Sequence, residues 1–181
     1  MDTDLVIRAQ HGDKDAYAAL AAGMADRFLA VARRILRDLD LAQDATQQAL
    51  LAIWQDLPHL RDPARFEAWS YRLLVHACYA EGRKERRWAP NLRLLPPDAQ
   101  STDDGLSSVV ERDQLERGFR RLSLDHRAVV VLHHYLDLPL DRVADVLGIP
   151  VGTAHSRLHH AMRALRAAID ADLRPASREV S

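Results

Sequence analysis

Cysteine is almost absent from this chain: Cys78 stands alone, so no internal disulfide and no multi-cysteine zinc site can form. Its neighbours Ala77 and Tyr79 continue a helical pattern, which assigns the thiol to burial and not to redox sensing. Long apolar runs are missing too, which excludes a bilayer-spanning helix. The first ten residues carry Asp2 and Asp4 where a secretory signal would carry basic residues before a hydrophobic stretch, so the expected location is the cytoplasm, without membrane insertion. Net charge is scarcely present, since 25 basic and 26 acidic side chains leave −1. A protein that grips nucleic acid unaided usually has a basic surplus, so tight unassisted binding to DNA is not expected. Glycine occurs at only seven sites, most of them plausible helix ends or turns, and no two-residue alternation is sustained. The expected fold is therefore all-α.

What the chain does have is helical periodicity and enough apolar content for a packed core, in 181 residues that allow one large domain or two small ones. A first helix is expected over 3–10. Gly12 and Asp13 then break the chain and recap a longer helix that runs to about Leu36, with Ala19, Leu20, Phe28, Val31, Ala32 and Ile35 inward. The next helix follows Asp40, carries Ala45, Ala49, Ile53 and Leu57 on one side with Trp54 adjoining, and ends before Pro58. Asp62 followed by Pro63 is a strong start signal for a helix that reaches about Arg87, with Phe66, Trp69 and Leu73 on one apolar stripe.

Between Trp88 and Ser107 the pattern fails. Pro90, Pro96, Pro97 and Gly105 interrupt it among polar residues, which marks a flexible linker between two small helical domains. The expected division is 1–88, a linker over 89–107, a second domain over 108–175 and a tail over 176–181. Fully extended, about twenty residues reach roughly 65–70 Å, near two turns of duplex at about 34 Å each. Beyond the linker, 108–122 is expected to be helical and Ser123 to cap a helix from Leu124 to Leu136.

The stretch from Leu140 to Arg166 reads as a helix-turn-helix. Val143, Ala144 and Leu147 form one apolar face, Ala144 is small where a second helix presses closest, and Gly148 followed by Pro150 ends the first helix in a tight turn. In the second helix Ala154, Leu158, Ala161 and Leu165 recur at helical spacing. Thr153, His155, Ser156, Arg157, His159, His160 and Arg163 are left facing outward, a surface made almost wholly of hydrogen-bond donors. Such a face suits the major groove, where Arg grips guanine edges and Thr or Ser meets phosphates or base edges.

Basic residues cluster in Arg83, Lys84, Arg86 and Arg87 and again in Arg157, Arg163 and Arg166, whereas acidic residues gather between Asp98 and Glu116. Three function classes follow from these features. A stand-alone helix-turn-helix regulator accounts for the second domain but leaves the first without a sensor pocket or dimerisation signal. A metal-dependent enzyme is hinted at by His155, His159 and His160, but no glutamate between them serves as general base and no nearby carboxylate completes a site. A subunit that borrows its affinity from a larger assembly fits the neutral charge.

The whole chain resembles an RNA polymerase sigma factor of the extracytoplasmic-function type. The segment from Gln43 to Trp54, with Asp44, Gln47 and Trp54, is similar to the family's polymerase-clamp helix. Phe66, Trp69, Tyr71, Arg72 and Leu73 resemble the start of its promoter-melting helix, and Gly152, Thr153, Ser156, Arg157 and Leu158 match its recognition-helix signature. The resemblance implies a non-enzymatic protein that directs promoter-specific initiation at the minus-35 and minus-10 elements. Implied partners are core RNA polymerase, promoter DNA and an anti-sigma factor; no cofactor, metal or small-molecule substrate is implied.

By the same resemblance, core polymerase would be held by Asp44, Gln47, Gln48, Leu51 and Trp54. The downstream element would be met by His59, Arg61, Asp62, Arg72, His76, Tyr79, Arg83 and Lys84, with Tyr71 a further stacking candidate. The upstream element would be read by the donor face from Thr153 to Arg163. The chain departs from the family at His76 and Ala80, where Asn and Asp are usual, at Gln48 in place of an acidic residue, and at His155 and Met162 in place of basic ones.

Overall fold

Side-chain caps set where the helices of the amino-terminal half begin. The structure, a computed structural model, describes residues 3–88 and 115–172. Helix α1 (Thr3–Gln10) ends at Gly12, which takes φ +87°, and Asp13 caps α2 (Lys14–Leu36) by accepting from the N–H groups of Asp15 and Ala16. Arg8 steadies that carboxylate at 2.7 Å. Asp38 caps α3 (Leu39–Asp56), so α3 starts slightly ahead of the Asp40 boundary. Two 3₁₀ turns, Leu57–His59 and Pro63–Arg65, then lead into α4 (Phe66–Trp88), and Asp62 caps the second by accepting from Ala64 N–H at 3.0 Å.

Most of the expected inward residues are buried, with instructive exceptions. In α2 Ala19 is exposed and Met24 takes a core position, while Ala45, Ala49, Ile53 and Leu57 are all buried. In α4 the buried face is rotated from the expected Phe66, Trp69, Leu73 stripe: Phe66, Ser70, Leu74, Cys78 and Glu81 are buried, whereas Trp69 and Leu73 lie at its edge. Polar residues hid this face. Ser70 Oγ donates to the Glu67 carbonyl at 2.9 Å, and Glu81 accepts from Gln48, so both are satisfied inside. Tyr71 is also buried, its ring 5.4 Å from that of Phe28, which removes it from the stacking candidates. Cys78 is fully buried as expected, and desolvation pushes its thiol up to about 12, so it is inert.

The carboxy-terminal half contains α5 (115–121), α6 (Leu124–Val130), α7 (Leu140–Leu147) and α8 (Val151–Asp172). Ser123 caps α6 by accepting from His126 N–H. The expected helix to Leu136 is interrupted: the α ladder stops at Val130 and a π turn, Val131–Tyr135, follows, with Leu136 N–H bonding to the Val131 carbonyl at 3.2 Å. The glycine turn forms as expected. Gly148 takes φ +65°, and Ile149 N–H reaches back to the Ala144 carbonyl at 3.1 Å before Pro150 opens α8. No strand occurs among the described residues.

A Cβ at Gly148 would meet nothing within 4 Å, so the backbone conformation alone demands glycine there. Gly148→Ala is therefore expected to destabilise the protein by about 1–2 kcal/mol. The shift of the urea midpoint at constant slope checks this, and an unchanged midpoint would show that the turn adapts.

The two halves share one apolar core. Ala128, Val129, Val131, Leu132, Val143, Val146 and Leu147 belong to the same buried cluster as Phe28, Ile35, Leu74 and Val75. Helix α7 packs on α4, and α6 with its π turn packs on α2. This explains Val146, which falls outside the expected Val143, Ala144, Leu147 face yet is buried, because α7 has a second neighbour in α4. A smaller cluster of Leu122, Val130, Ala161 and Leu165 ties α6 to α8. The expected linker over 89–107 and the helix start at Ser108 lie outside the described residues.

Candidate polymerase and promoter-DNA surfaces

The face expected to meet core polymerase is set by the burial of α3. Ala42, Ala45, Ala49 and Ile53 take the inward stripe, which turns Asp44, Gln47, Gln48 and Leu51 outward, with Leu51 55% exposed. Beside them lies an open, largely apolar groove of about 520 Å³, lined by Lys14, Tyr17, Ala21, Gln47, Leu50, Leu51 and Trp54. Tyr17 and Trp54 build its floor with ring centroids 4.7 Å apart, and the Tyr17 hydroxyl donates to the Leu50 carbonyl, which fixes α2 against α3. Lys14, Tyr17 and Ala21 were not among the expected site residues, although their spacing of three and four along α2 carries the signal. Gln48 differs from its neighbours: its Nε2 donates to the buried Glu81 at 2.5 Å, so it also braces α3 against α4.

The downstream set lies along one face of α4 and the turn before it. Arg72, His76 and Arg83 are exposed at helical spacing, with Tyr79 half-buried between them. His59, Arg61 and Asp62 project from the turn, which Gln10 of α1 holds by donating to the carbonyls of Leu57 at 3.2 Å and Leu60 at 2.7 Å. Asp62 is occupied as a cap, and Lys84 sits 3.5 Å from Glu81. Arg72 donates to the backbone carbonyl of Asp145 in α7.

The upstream set lies on α8. Ala154, Ala161 and Leu165 are buried, and His155, Ser156, His159, His160 and Arg163 are exposed as expected. Thr153 is half-buried. Arg157 does not point freely outward: its side chain is 26% exposed and pairs with Asp125 of α6 at 3.1 Å. The Tyr79 hydroxyl is buried beside that same carboxylate, and desolvation together with the Asp125 charge holds its proton more tightly than usual. Next to it, desolvation and then the nearby His160 depress the pKa of His126. Among the described residues no group of three His, Cys, Asp or Glu side chains is placed to hold a metal ion. None of the described helices is long and apolar enough to cross a membrane.

Comparison with known proteins matches the chain to two family models. The family model for Sigma-70 region 2 matches residues 21–88, and that for Sigma-70, region 4 matches residues 112–165. A helical bundle with an exposed, partly apolar α3 face, followed by a helix-turn-helix with a donor-rich second helix, is thereby placed in the class of sigma-70 transcription initiation factors. The ECF RNA polymerase sigma factor SigL of Mycobacterium tuberculosis is 33% identical over 162 residues, covering 86% of this chain and 92% of that protein. The RNA polymerase sigma-H factor of Pseudomonas aeruginosa is 29% identical over 190 residues, covering 98% and 96%. The chain belongs to the family of ECF RNA polymerase sigma factors.

Two solved structures share the fold. CnrH in complex with the cytosolic domain of CnrY matches with TM-score 0.70 and 23% identity, over 94% of this chain and 98% of that one. The sigma factor RpoE in complex with the anti-sigma factor NepR from Bartonella quintana matches with TM-score 0.68 and 18% identity, over 86% and 98%. Membership of the family makes this protein a subunit that binds core RNA polymerase and directs transcription from specific promoters; a stand-alone regulator is not favoured.

Proposed function

We propose that the work is divided between the faces just described, with domains over 1–88 and 108–175, a connector over 89–107 and a tail over 176–181. Asp44, Gln47, Leu51 and Trp54 dock core polymerase, with Gln48 contributing as it braces Glu81, and the Tyr17–Trp54 groove seats an apolar side chain of the polymerase. His59, Arg61, Asp62, Arg72, His76, Tyr79, Arg83 and Lys84 hold the downstream element after strand separation, where bases need stacking surfaces beside a cationic track. Thr153, His155, Ser156, Arg157, His159, His160 and Arg163 read the upstream element in the major groove.

One observation carries this reading: an exposed apolar clamp face and a donor-faced recognition helix occur on one nearly neutral chain. Neither surface suffices alone. A single helix-turn-helix buries only about 600–1,000 Å², too little for tight specific binding by a neutral monomer, so tethering both modules to polymerase supplies the missing affinity by avidity. The protein performs no catalysis itself, acts in the cytoplasm, and is restrained by an anti-sigma protein, as the CnrH–CnrY and RpoE–NepR complexes illustrate for those two factors.

Run-off transcription with bacterial core polymerase on a library of promoter-like fragments tests the assignment. Specific initiation that depends on added protein is expected, and the recovered fragments will share two elements. Failure both to bind core and to initiate would return the protein to the class of stand-alone regulators.

A further inference from the structure

Arg157 is held by a residue that lies outside the promoter-reading set. Its Nη2 is 3.1 Å from Asp125 Oδ2, on α6. Both ends of this contact are built into the helix-turn-helix half. Ser123 starts α6 by accepting from His126 N–H at 3.3 Å, and the Ser123 carbonyl accepts from Arg127 N–H at 2.9 Å, which fixes the turn that carries Asp125. On the other side, Leu122 and Val130 pack with Ala161 and Leu165 and set the distance between α6 and α8. Helix α5 closes on α8 as well: a Cβ at Gly118 would lie 3.2 Å from Leu165 Cδ2 and 3.3 Å from Ala168 Cβ. Both partners of the pair, and the helices that space them, therefore belong to one half.

We propose that Asp125 is a positioning residue for promoter readout: its carboxylate holds the Arg157 guanidinium in the orientation in which a free edge of the fork meets a guanine of the upstream element. The proposal rests on the assignment of Arg157 in the preceding subsection. An arginine side chain has several rotatable bonds, and ordering them opposes binding each time DNA is engaged. A fixed carboxylate beside it transfers that ordering to the free protein, so the fork is already aimed when DNA arrives. The chemistry of the contact permits this. Nη2 carries two N–H groups, and a contact at one of them leaves a complete two-donor edge, the geometry that matches guanine O6 and N7. Arg157 keeps 26% of its side chain exposed, so that edge is not sealed in. Asp125 is 50% exposed, and an ion pair so open to water adds little to the stability of the fold. What the pair fixes is the direction of the arginine.

The test uses holoenzyme, the full chain with core polymerase, in run-off transcription on the intact promoter and on a template substituted at the base pair whose preference Arg157→Ala abolishes. The ratio of the two yields is read, because it cancels the general rise in DNA affinity that follows from removing a negative charge. Asp125→Ala is expected to lower that ratio by about three- to tenfold, the range of one lost hydrogen-bonded contact. Asp125→Asn, which keeps an acceptor of the same size, falls between Asp125→Ala and the parent, and it reports alone if the alanine variant melts early. In an Arg157→Ala background neither Asp125 substitution lowers the ratio further, since a positioning residue acts only through the group it positions. Preferences at the other upstream base pairs stay at the parent level, which a general loosening of the helix-turn-helix would not allow. A parent-like ratio in both Asp125 variants would overturn the proposal, as would losses that add to that of Arg157→Ala or fall equally on every base pair. If instead Arg157→Ala abolished no preference, the readout assignment itself would fail, and the positioning role with it.

Discussion

Leu51→Asp is expected to lose core polymerase binding by thirtyfold or more, about 2 kcal/mol or above, the range of an interface hot spot. The free protein leaves Leu51 55% exposed at the lip of the groove that Tyr17 and Trp54 floor. An apolar side chain left in water by the fold is one that a partner can bury. A carboxylate in its place would have to be desolvated against Trp54 and Leu50, where Lys14 is the one cation lining the groove, and Asp44 on the same face adds like charge. The fold itself has little at stake at this position, so the melting curve should stay within about 0.5 kcal/mol of the parent. Retained core binding by the variant would place the docking surface elsewhere on the molecule. A melt displaced together with binding would instead mean that Leu51 supports the fold.

The difference between Leu51 and Gln48 shows how far sequence carries such a reading. Helical periodicity places both off the Ala45, Ala49, Ile53 stripe, and both are indeed outside it. Periodicity says nothing about the next helix, and only packing reveals that Gln48 reaches Glu81 across the α3–α4 seam. The same limit explains α4. Its buried face includes Ser70 and Glu81, so a reading based on apolar spacing rotates the helix toward Trp69 and Leu73 and leaves Tyr71 available for bases, whereas Tyr71 packs on Phe28. Caps and glycine turns were legible because their cause is local: Asp13, Ser123 and Gly148 act within a few residues of themselves.

The π turn after Val130 was not legible, because Val131–Tyr135 contains no turn-forming residue type. The packing of the two halves on each other was also hidden. A sequence with a proline-bearing acidic connector states how far apart two domains can be, not how close they come. Val146 was the one local sign, an apolar residue on the second side of a helix whose first side was already accounted for.

Arg157→Ala should erase discrimination at one base pair of the upstream element while leaving core binding intact. Arg157 lies on α8 one turn beyond Thr153, at the front of the recognition helix, where side chains reach base edges. A bidentate arginine–guanine pair contributes about 1–3 kcal/mol, so initiation on the intact promoter should fall roughly ten- to a hundredfold. On a template already mutated at the contacted pair the variant and the parent should be equal, since nothing remains to lose. Arg157→Lys should behave nearly as poorly, because an ammonium cannot reproduce the planar fork. In the free protein Arg157→Ala also removes the ion pair with Asp125. Run-off transcription on the paired templates, read beside a thermal melt of the free variant, separates lost readout from lost stability. Discrimination that survived in Arg157→Ala would transfer the readout to Ser156 or His160 and leave Arg157 as a purely structural partner of Asp125.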